Sequence, residues 1–185
     1  MDAKISQWKR KNEEYMQSIK ARIEELKKKE ASHIYSYFTY SIQFSHDPAN
    51  ESLLIGSFHI QNNGKDVFQN PYICLKLKEN SILHFSGKYV YKDSTKKVRM
   101  PGAWEKINEK SEKEEFWLQP IGATHIEPGE SLSFNNFQLK WKPHKKYAES
   151  LNGFAYGEGF EKGIPSLNQI NIGGTNVREE EDEGG

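Results

Sequence analysis

Six histidines and one cysteine are the side chains of this sequence most often found as metal ligands or nucleophiles. No two of the histidines have the i,i+4 spacing of a helical zinc site, and none belongs to a Cys/His cluster. They are His33, His46, His59, His84, His125 and His144. The spacing favours solvated histidines and predicts neither a metal nor another cofactor. His59 and His84 fall in predicted strands, so a catalytic role requires a fold that brings both beside a carboxylate.

Cys74 is the only cysteine, which excludes a disulfide bond within the chain. A cysteine nucleophile needs a nearby base and surroundings that lower its pKa, and the flanking sequence suggests neither. We predict an inert thiol that packs as a small apolar side chain. The glycines at 153–163 match neither a phosphate-binding loop nor a dinucleotide fingerprint, and we expect them to relieve crowding in a twisted strand. Because no catalytic constellation can be assembled, the sequence indicates a protein that is not an enzyme.

Aromatic side chains suggest binding instead, since the sequence holds four tryptophans and nine tyrosines. Trp104, Trp117 and Trp141 lie in the part of the chain predicted to be β. Because such rings stack on sugar faces, a carbohydrate-binding module is the alternative function. Trp104 stands among the alternating charges of a polar segment, 93–114, where a large ring has no evident core to join. Exposed rings of this kind often anchor a partner protein.

An amphipathic helix is predicted at the start of the chain, where apolar residues recur at spacings of three, four and seven. No glycine or proline occurs before residue 48, and Glu24 with Lys28 forms a favourable acid-to-base pair at i,i+4. We call the apolar residues the helix stripe: Ile5, Trp8, Tyr15, Met16, Ile19, Ile23 and Leu26. The predicted partner-binding residues are Trp8, Tyr15, Ile19, Ile23 and Leu26 on this stripe, together with Trp104.

Three kinds of surface would cover the helix stripe: a second copy of the chain, the chain's own domain, or a different protein. In a heptad register, position a is taken by Ile5, Asn12, Ile19 and Leu26, and position d by Trp8, Tyr15, Arg22 and Lys29. This register predicts a coiled-coil homodimer, in which an asparagine at position a specifies the alignment. Each fully buried large side chain contributes about 1.5 to 3 kcal/mol, so we expect one of the three surfaces to bury the stripe.

From Ile34 onward the apolar period changes from about four to two, which is typical of strands. Strands are predicted at 34–44, 53–61, 72–77, 82–91, 115–121, 131–141, 153–160 and 167–172. The turn residues from Asn62 to Asp66 predict a hairpin between the second and third of these strands. The apolar face shifts at Asn135-Asn136, which predicts a β-bulge. Many short strands without a second helix indicate a mainly β fold, an antiparallel β-sandwich.

Charge and composition limit the partners and the compartment. The 26 basic and 26 acidic residues balance, so no long-range field draws the chain to nucleic acid or to an anionic membrane. We predict a helix at 1–32, a sandwich domain at 33–174 and a disordered acidic tail at 175–185. No apolar run is long enough to span a bilayer, and the N-terminus lacks the apolar core of a signal peptide. These features predict a cytoplasmic protein.

Two segments resemble bacterial immunoglobulin-like sandwiches of the cell-adhesion-related CARDB type. They are GSFHIQNNGKDVFQNPYICLKL at 56–77 and IEPGESLSFNNFQLKW at 126–141. In that family a strand ends in an asparagine-glycine turn, and a proline-glycine turn introduces the strand pair near the end of the domain. The resemblance covers about residues 34–172 and implies an immunoglobulin-like sandwich that serves as a binding or spacer module. The family has no shared catalytic residues, and this chain differs from it in its N-terminal helix.

Overall fold

The structure is a computed structural model that describes residues 2–31, 33–45, 47, 49–91, 102–109, 111–142 and 146–175. The predicted acidic tail lies outside the described residues, apart from Thr175. Part of the polar segment, 92–101, also lies outside them.

The described residues form one α-helix and thirteen β-strands, which confirms the mainly β prediction. The helix, α1, spans Asp2–Ala31. The strands are β1 Ile34–Gln43, β2 Ser52–Asn62, β3 Phe68–Gln69, β4 Tyr72–Leu77, β5 His84–Ser86, β6 Tyr89–Tyr91, β7 Trp104–Lys106, β8 Glu115–Pro120, β9 His125–Ile126, β10 Ser131–Trp141, β11 Lys146–Tyr156, β12 Ile164–Pro165 and β13 Ile170–Thr175.

Most strands belong to two sheets that pack face to face as a β-sandwich. The first sheet has the order β1-β2-β10-β5, and the second has the order β12-β11-β4-β8-β7-β6, with β13 also paired to β11. The pairings are antiparallel except that between β6 and β7. The first order is that of the A-B-E-D sheet of an immunoglobulin fold, and β4-β11-β13 takes the place of C-F-G. β3 and β9 form a separate short ribbon.

Aromatic side chains from both sheets fill the space between them. Phe38 on β1 and Phe58 on β2 meet edge to face, with ring centroids 4.8 Å apart. Across the sandwich, Phe85 on β5 lies 4.2 Å from Phe116 on β8. Burial alternates along all eleven residues of β2, because successive side chains of a strand point to opposite faces. The apolar residues of the period-two pattern therefore correspond to the inner face of the first sheet.

The predicted β-bulge at Asn135-Asn136 is confirmed. The register of β10 against β2 shifts between Phe134 and Phe137. Asn136 has a φ of 58°, a left-handed conformation that asparagine adopts more readily than most residues. The extra residue turns Phe134 and Phe137 to the same face, where both are fully buried.

The predicted hairpin between the second and third strands is wrong. β2 pairs with β1 and β10, whereas β4 pairs with β8 and β11 in the other sheet. The chain after β2 crosses from one sheet to the other and forms β3 on the way. Asn62 holds the start of this crossing, since its amide nitrogen donates to the carbonyl oxygens of Asp66 at 2.9 Å and Ile126 at 2.8 Å. None of residues 62–66 has the positive φ of a tight hairpin turn, so both the turn type and the strand pairing differ from the prediction.

Gly153 on β11 allows the two sheets to approach closely. A Cβ atom at this position would lie 2.3 Å from Cε2 of Phe58 and 2.7 Å from Cζ of Phe38. Both rings are buried between the sheets and have little room to move. The absence of a side chain at Gly153 thus makes space for two rings of the first sheet.

We expect Gly153→Ala to lower the free energy of unfolding by about 1 to 3 kcal/mol, because the added methyl group overpacks the core. Gly173→Ala on the neighbouring strand β13 is the matched control, since the nearest atom to its Cβ would lie at 3.4 Å. Urea unfolding of both variants measures the difference. Equal losses of stability in the two would contradict this account of Gly153.

Candidate interaction surfaces

The helix stripe is exposed to solvent along its described length. The exposed fractions of Trp8, Tyr15 and Ile23 are 76%, 65% and 45%. Met16 is also exposed, and Ile19 is only partly covered. The sandwich therefore does not bury these side chains, which removes packing on the chain's own domain as their cover. The side chains of Ile5 and Leu26 lie outside the described residues.

The polar face of α1 carries the charges expected of a solvated helix surface. Arg10 Nε lies 3.9 Å from Oε1 of Glu14, and both side chains are exposed. Such an i,i+4 pair contributes only about 0.3 to 0.5 kcal/mol. The ion pair therefore contributes little to the stability of the helix. The exposed apolar side chains are the more distinctive feature of its surface.

The prediction that Trp104 is an exposed anchor is wrong. Its side chain is 2% exposed, and its ring lies 5.6 Å from that of Phe134 on the facing sheet. Trp104 begins β7, which pairs with β8, so the polar segment crosses the core at this point. Trp141 is also fully buried. Neither indole is accessible to a partner or a sugar.

Lys106 explains how a charged segment enters the core. Its side chain is buried beside Phe116, with Nζ 5.0 Å from the ring centroid. Nζ donates to the carbonyl oxygens of Glu109 at 3.0 Å and Glu112 at 2.7 Å. Burial lowers the pKa of Lys106. The buried amine thus stabilises the turn after β7, and the backbone carbonyl groups of that turn satisfy its hydrogen-bonding capacity. The alternation of charges in the sequence does not indicate this role.

A group of three aromatic residues, which we call the ring cluster, lies on the outer face of the second sheet. It consists of Tyr72 on β4, Trp117 on β8 and Tyr156 on β11, each partly exposed. The rings of Tyr72 and Tyr156 are nearly parallel, with centroids 5.1 Å apart. The Trp117 ring lies 5.0 Å from that of Tyr156. Of the tryptophans in the β domain, Trp117 alone offers a partly exposed ring.

An ion pair borders the ring cluster. Lys76 Nζ lies 2.5 Å from Oε1 of Glu115, and the indole nitrogen of Trp117 donates to the other carboxylate oxygen at 3.2 Å. These two hydrogen bonds lower the pKa of Glu115. The outer face of the second sheet therefore combines aromatic rings with polar groups that can donate and accept hydrogen bonds.

Cys74 lies on the same outer face as the ring cluster and is only 3% exposed. Its neighbours across the sheet are Trp117 on one side and Phe154 on the other. Burial, followed by the charge of Glu115, raises the pKa of the thiol to about 12. Because the thiolate is the reactive form, this environment suppresses nucleophilic chemistry.

His59 lies on the outer face of the first sheet between two hydroxyl groups. Its Nε2 is 2.8 Å from Oγ1 of Thr39, and its Nδ1 is 2.8 Å from Oγ of Ser133. Burial lowers its pKa. His84 pairs with Lys140 at the far end of β10, about 20 Å away at the usual rise per strand residue. The convergence that a catalytic pair would require does not occur.

Among the described residues, no three His, Cys, Asp or Glu side chains are grouped so as to hold a metal ion. No helix in the described ranges is both long and apolar enough to cross a membrane. No known protein family and no curated protein matches this chain.

We expect the Cys74 thiol to resist a thiol-labelling reagent at pH 8 in the folded chain and to react at once in guanidinium. With a pKa of about 12, on the order of one thiol in ten thousand is ionised at that pH, and the group is also shielded. The labelling rate is followed by mass spectrometry. Rapid labelling without denaturant would show that the ring cluster does not seal this position.

The same pKa difference predicts how Cys74 affects stability with pH. A folded pKa above the unfolded value of about 8.5 gives a contribution that is fully present below that value and is lost as pH rises toward 12. The unfolding free energy of the unmodified chain should therefore fall more steeply than that of Cys74→Ala over this alkaline range. Identical slopes would contradict the assignment.

Proposed function

We propose that this protein is a non-enzymatic interaction module, in which the helix stripe binds a protein surface and the sandwich is the folded body attached to it. The observation that carries the proposal is the exposure of Trp8, Tyr15 and Ile23 along one side of α1. A contiguous exposed apolar surface marks an interaction site more often than scattered apolar residues do, and tryptophan and tyrosine are enriched among the residues that dominate binding energy. The immunoglobulin-like resemblance supports the same proposal, because it implies a binding or spacer domain.

A second copy of the helix is the partner that fits the stripe most directly. The stripe has the a/d spacing of a two-stranded coiled coil in its first half, with Asn12 at an a position. An isolated helix gains most of its stability from packing an apolar face, so pairing would also stabilise the helix itself. Arg22 and Lys29 at d positions weaken the second half of the seam. A heterologous partner helix is the other form of the proposal.

A double substitution on the stripe tests the proposal. Ile19→Asp with Ile23→Asp places two charges in the middle of the apolar face, and a charge buried at such a seam is strongly unfavourable. Light scattering of the full chain should show a lower mass than that of the unmodified chain. If the unmodified chain is already a monomer, the expected result is loss of a partner protein that co-purifies with it.

The matched control is Gln17→Asp with Ala21→Asp, which introduces the same charges at the same i,i+4 spacing on the opposite face of α1. Both positions are exposed, so this control should leave mass and binding unchanged. An equal effect of the two double variants would point to loss of helix rather than loss of an interface. No effect of either would refute the role of the stripe.

Carbohydrate binding is the second candidate function, and the ring cluster is the observation that favours it. Trp117 lies half-buried beside the Lys76–Glu115 pair, which supplies donors and acceptors for sugar hydroxyl groups. The geometry limits this candidate, because Tyr72 and Tyr156 are offset-stacked and each covers part of the other's ring face. Trp117 is the ring that remains to stack on a sugar.

Glycan-array binding by the full chain, followed by the same measurement on Trp117→Ala, tests the second candidate. We expect binding to be lost in Trp117→Ala and kept in Trp8→Ala, which removes an exposed indole away from the sheets. If no glycan binds, or if both variants bind alike, the ring cluster is not a sugar site.

A further inference from the structure

The first strand of the sandwich lacks the usual protection of a sheet edge. β1 lies at the edge of the first sheet and pairs with β2 on one side without a bulge. Its sequence, IYSYFTYSIQ, contains no proline, glycine or charged residue. No charged residue occurs between Glu30 and Asp47, in a chain of which 28% is charged. Edge strands normally carry such residues, because an open row of backbone groups pairs readily with another strand.

Part of the first half of this edge is bonded to the chain itself. The amide of Leu167 donates to the carbonyl oxygen of Ser36 at 2.8 Å. The side chain of Asn168 then acts as a short strand, since its Oδ1 accepts from the amide of Phe38 at 2.7 Å and its Nδ2 donates to the carbonyl oxygen of Phe38 at 3.0 Å. The edge is thus occupied at the Ser36 carbonyl and at both backbone groups of Phe38.

The second half of the edge is open. The backbone groups of Phe38 point away from β2, so those of every second residue along β1 do the same. Tyr40 and Ile42 are the next two such residues within β1. Among the described residues, no group lies in hydrogen bond with their outward amides and carbonyls. Two donors and two acceptors therefore face outward at this end of the strand.

We propose that the open half of β1 pairs with the same segment of a second copy, antiparallel, about a twofold axis at Ser41. In this register Tyr40 of each copy lies opposite Ile42 of the other copy, which gives two equivalent pairs. An antiparallel hydrogen-bonded pair exchanges both of its N–H···O bonds, so the two pairs use all the outward backbone groups of both copies. The two first sheets then become one continuous sheet.

The side chains agree with this register. Tyr40 and Phe44 are 47% and 46% exposed, although both follow the inner-facing alternation of β1. Pairing places the exposed Tyr40 ring beside the β-branched Ile42 of the second copy, a favourable cross-strand combination. Because the segment is uncharged, no like charges oppose each other at the axis. A second copy therefore matches this edge in hydrogen bonding, apolar surface and charge.

This interface is separate from the helix stripe. The open residues lie toward the end of β1 that is distant from α1, and Tyr40 and Ile42 do not belong to the stripe. The inference therefore stands or falls independently of the proposed function. An association through either surface raises the local concentration for the other where the geometry allows both.

Disulfide trapping of the full chain tests the register. In a Cys74→Ala background, Ser41→Cys places two thiols at a non-hydrogen-bonded antiparallel pair, where the Cα atoms lie about 4.5 Å apart and a disulfide can form. Under mild oxidation we expect a covalent dimer from this variant. Thr39→Cys alone and Gln43→Cys alone should give none, because each thiol is then about 13 Å from its copy.

A mixture of the Thr39→Cys and Gln43→Cys chains provides the sharper result, since residues 39 and 43 face each other in this register. The mixture should give a covalent dimer that contains one chain of each kind. Dimer formation by all three single variants alike would indicate random collision and overturn the proposal. So would the absence of a dimer from Ser41→Cys.

Tyr40→Pro in the Ser41→Cys background tests the hydrogen bonds themselves. Proline removes an amide that faces the open edge and leaves the β1–β2 ladder intact. We expect loss of the covalent dimer in Tyr40→Pro and its retention in Tyr40→Val, which keeps the amide. Thermal unfolding shows whether each variant is folded. A folded Tyr40→Pro chain that still forms the dimer would contradict the proposed pairing.

Discussion

The close packing of phenylalanine rings between the two sheets is the constraint on which the rest of this structure depends. Phe38 and Phe58 occupy the space left by the missing side chain of Gly153, and Phe134 reaches the same layer because a bulge turns it inward. Interiors are packed nearly as densely as organic crystals, so the sheets can approach only in the register that fits these rings. The register of the inward rings also determines which residues lie on the outer faces, because successive side chains of a strand point to opposite faces.

Local features of the fold were predictable because their cause lies in neighbouring residues. The helix follows from a stripe with a period near four, the strands from period two, and the bulge from Asn135-Asn136, where the apolar face shifts by one residue. The pairing of the strands was not predictable in this way. β2 and β4 have the alternation and the turn residues of a hairpin, but the choice of neighbour depends on contacts between residues distant in sequence.

The candidate surfaces show the same division. The apolar stripe of α1 was visible in the sequence, and the structure places its described side chains in solvent. The burial of Trp104 could not be predicted, because its ring packs against Phe134 on the facing sheet and this contact has no sequence signature. The closure of β1 by the Asn168 amide is equally hidden, since 130 residues separate this side chain from Phe38. Polar side chains such as those of Lys106 and Asn168 thus hold the fold together through hydrogen bonds to the backbone.

The short connection between α1 and β1 has a mechanical consequence. α1 ends at Ala31 and β1 begins at Ile34, so only two residues connect the helix to the edge strand of the sandwich. Tension applied to the helix enters the fold at the first residue of β1 and loads the hydrogen bonds between β1 and β2. The side-chain amide of Asn168 forms hydrogen bonds with the opposite edge of β1, at Phe38. If a partner holds α1, a load on the helix therefore passes to the rest of the molecule through the hydrogen bonds of β1 in the first sheet.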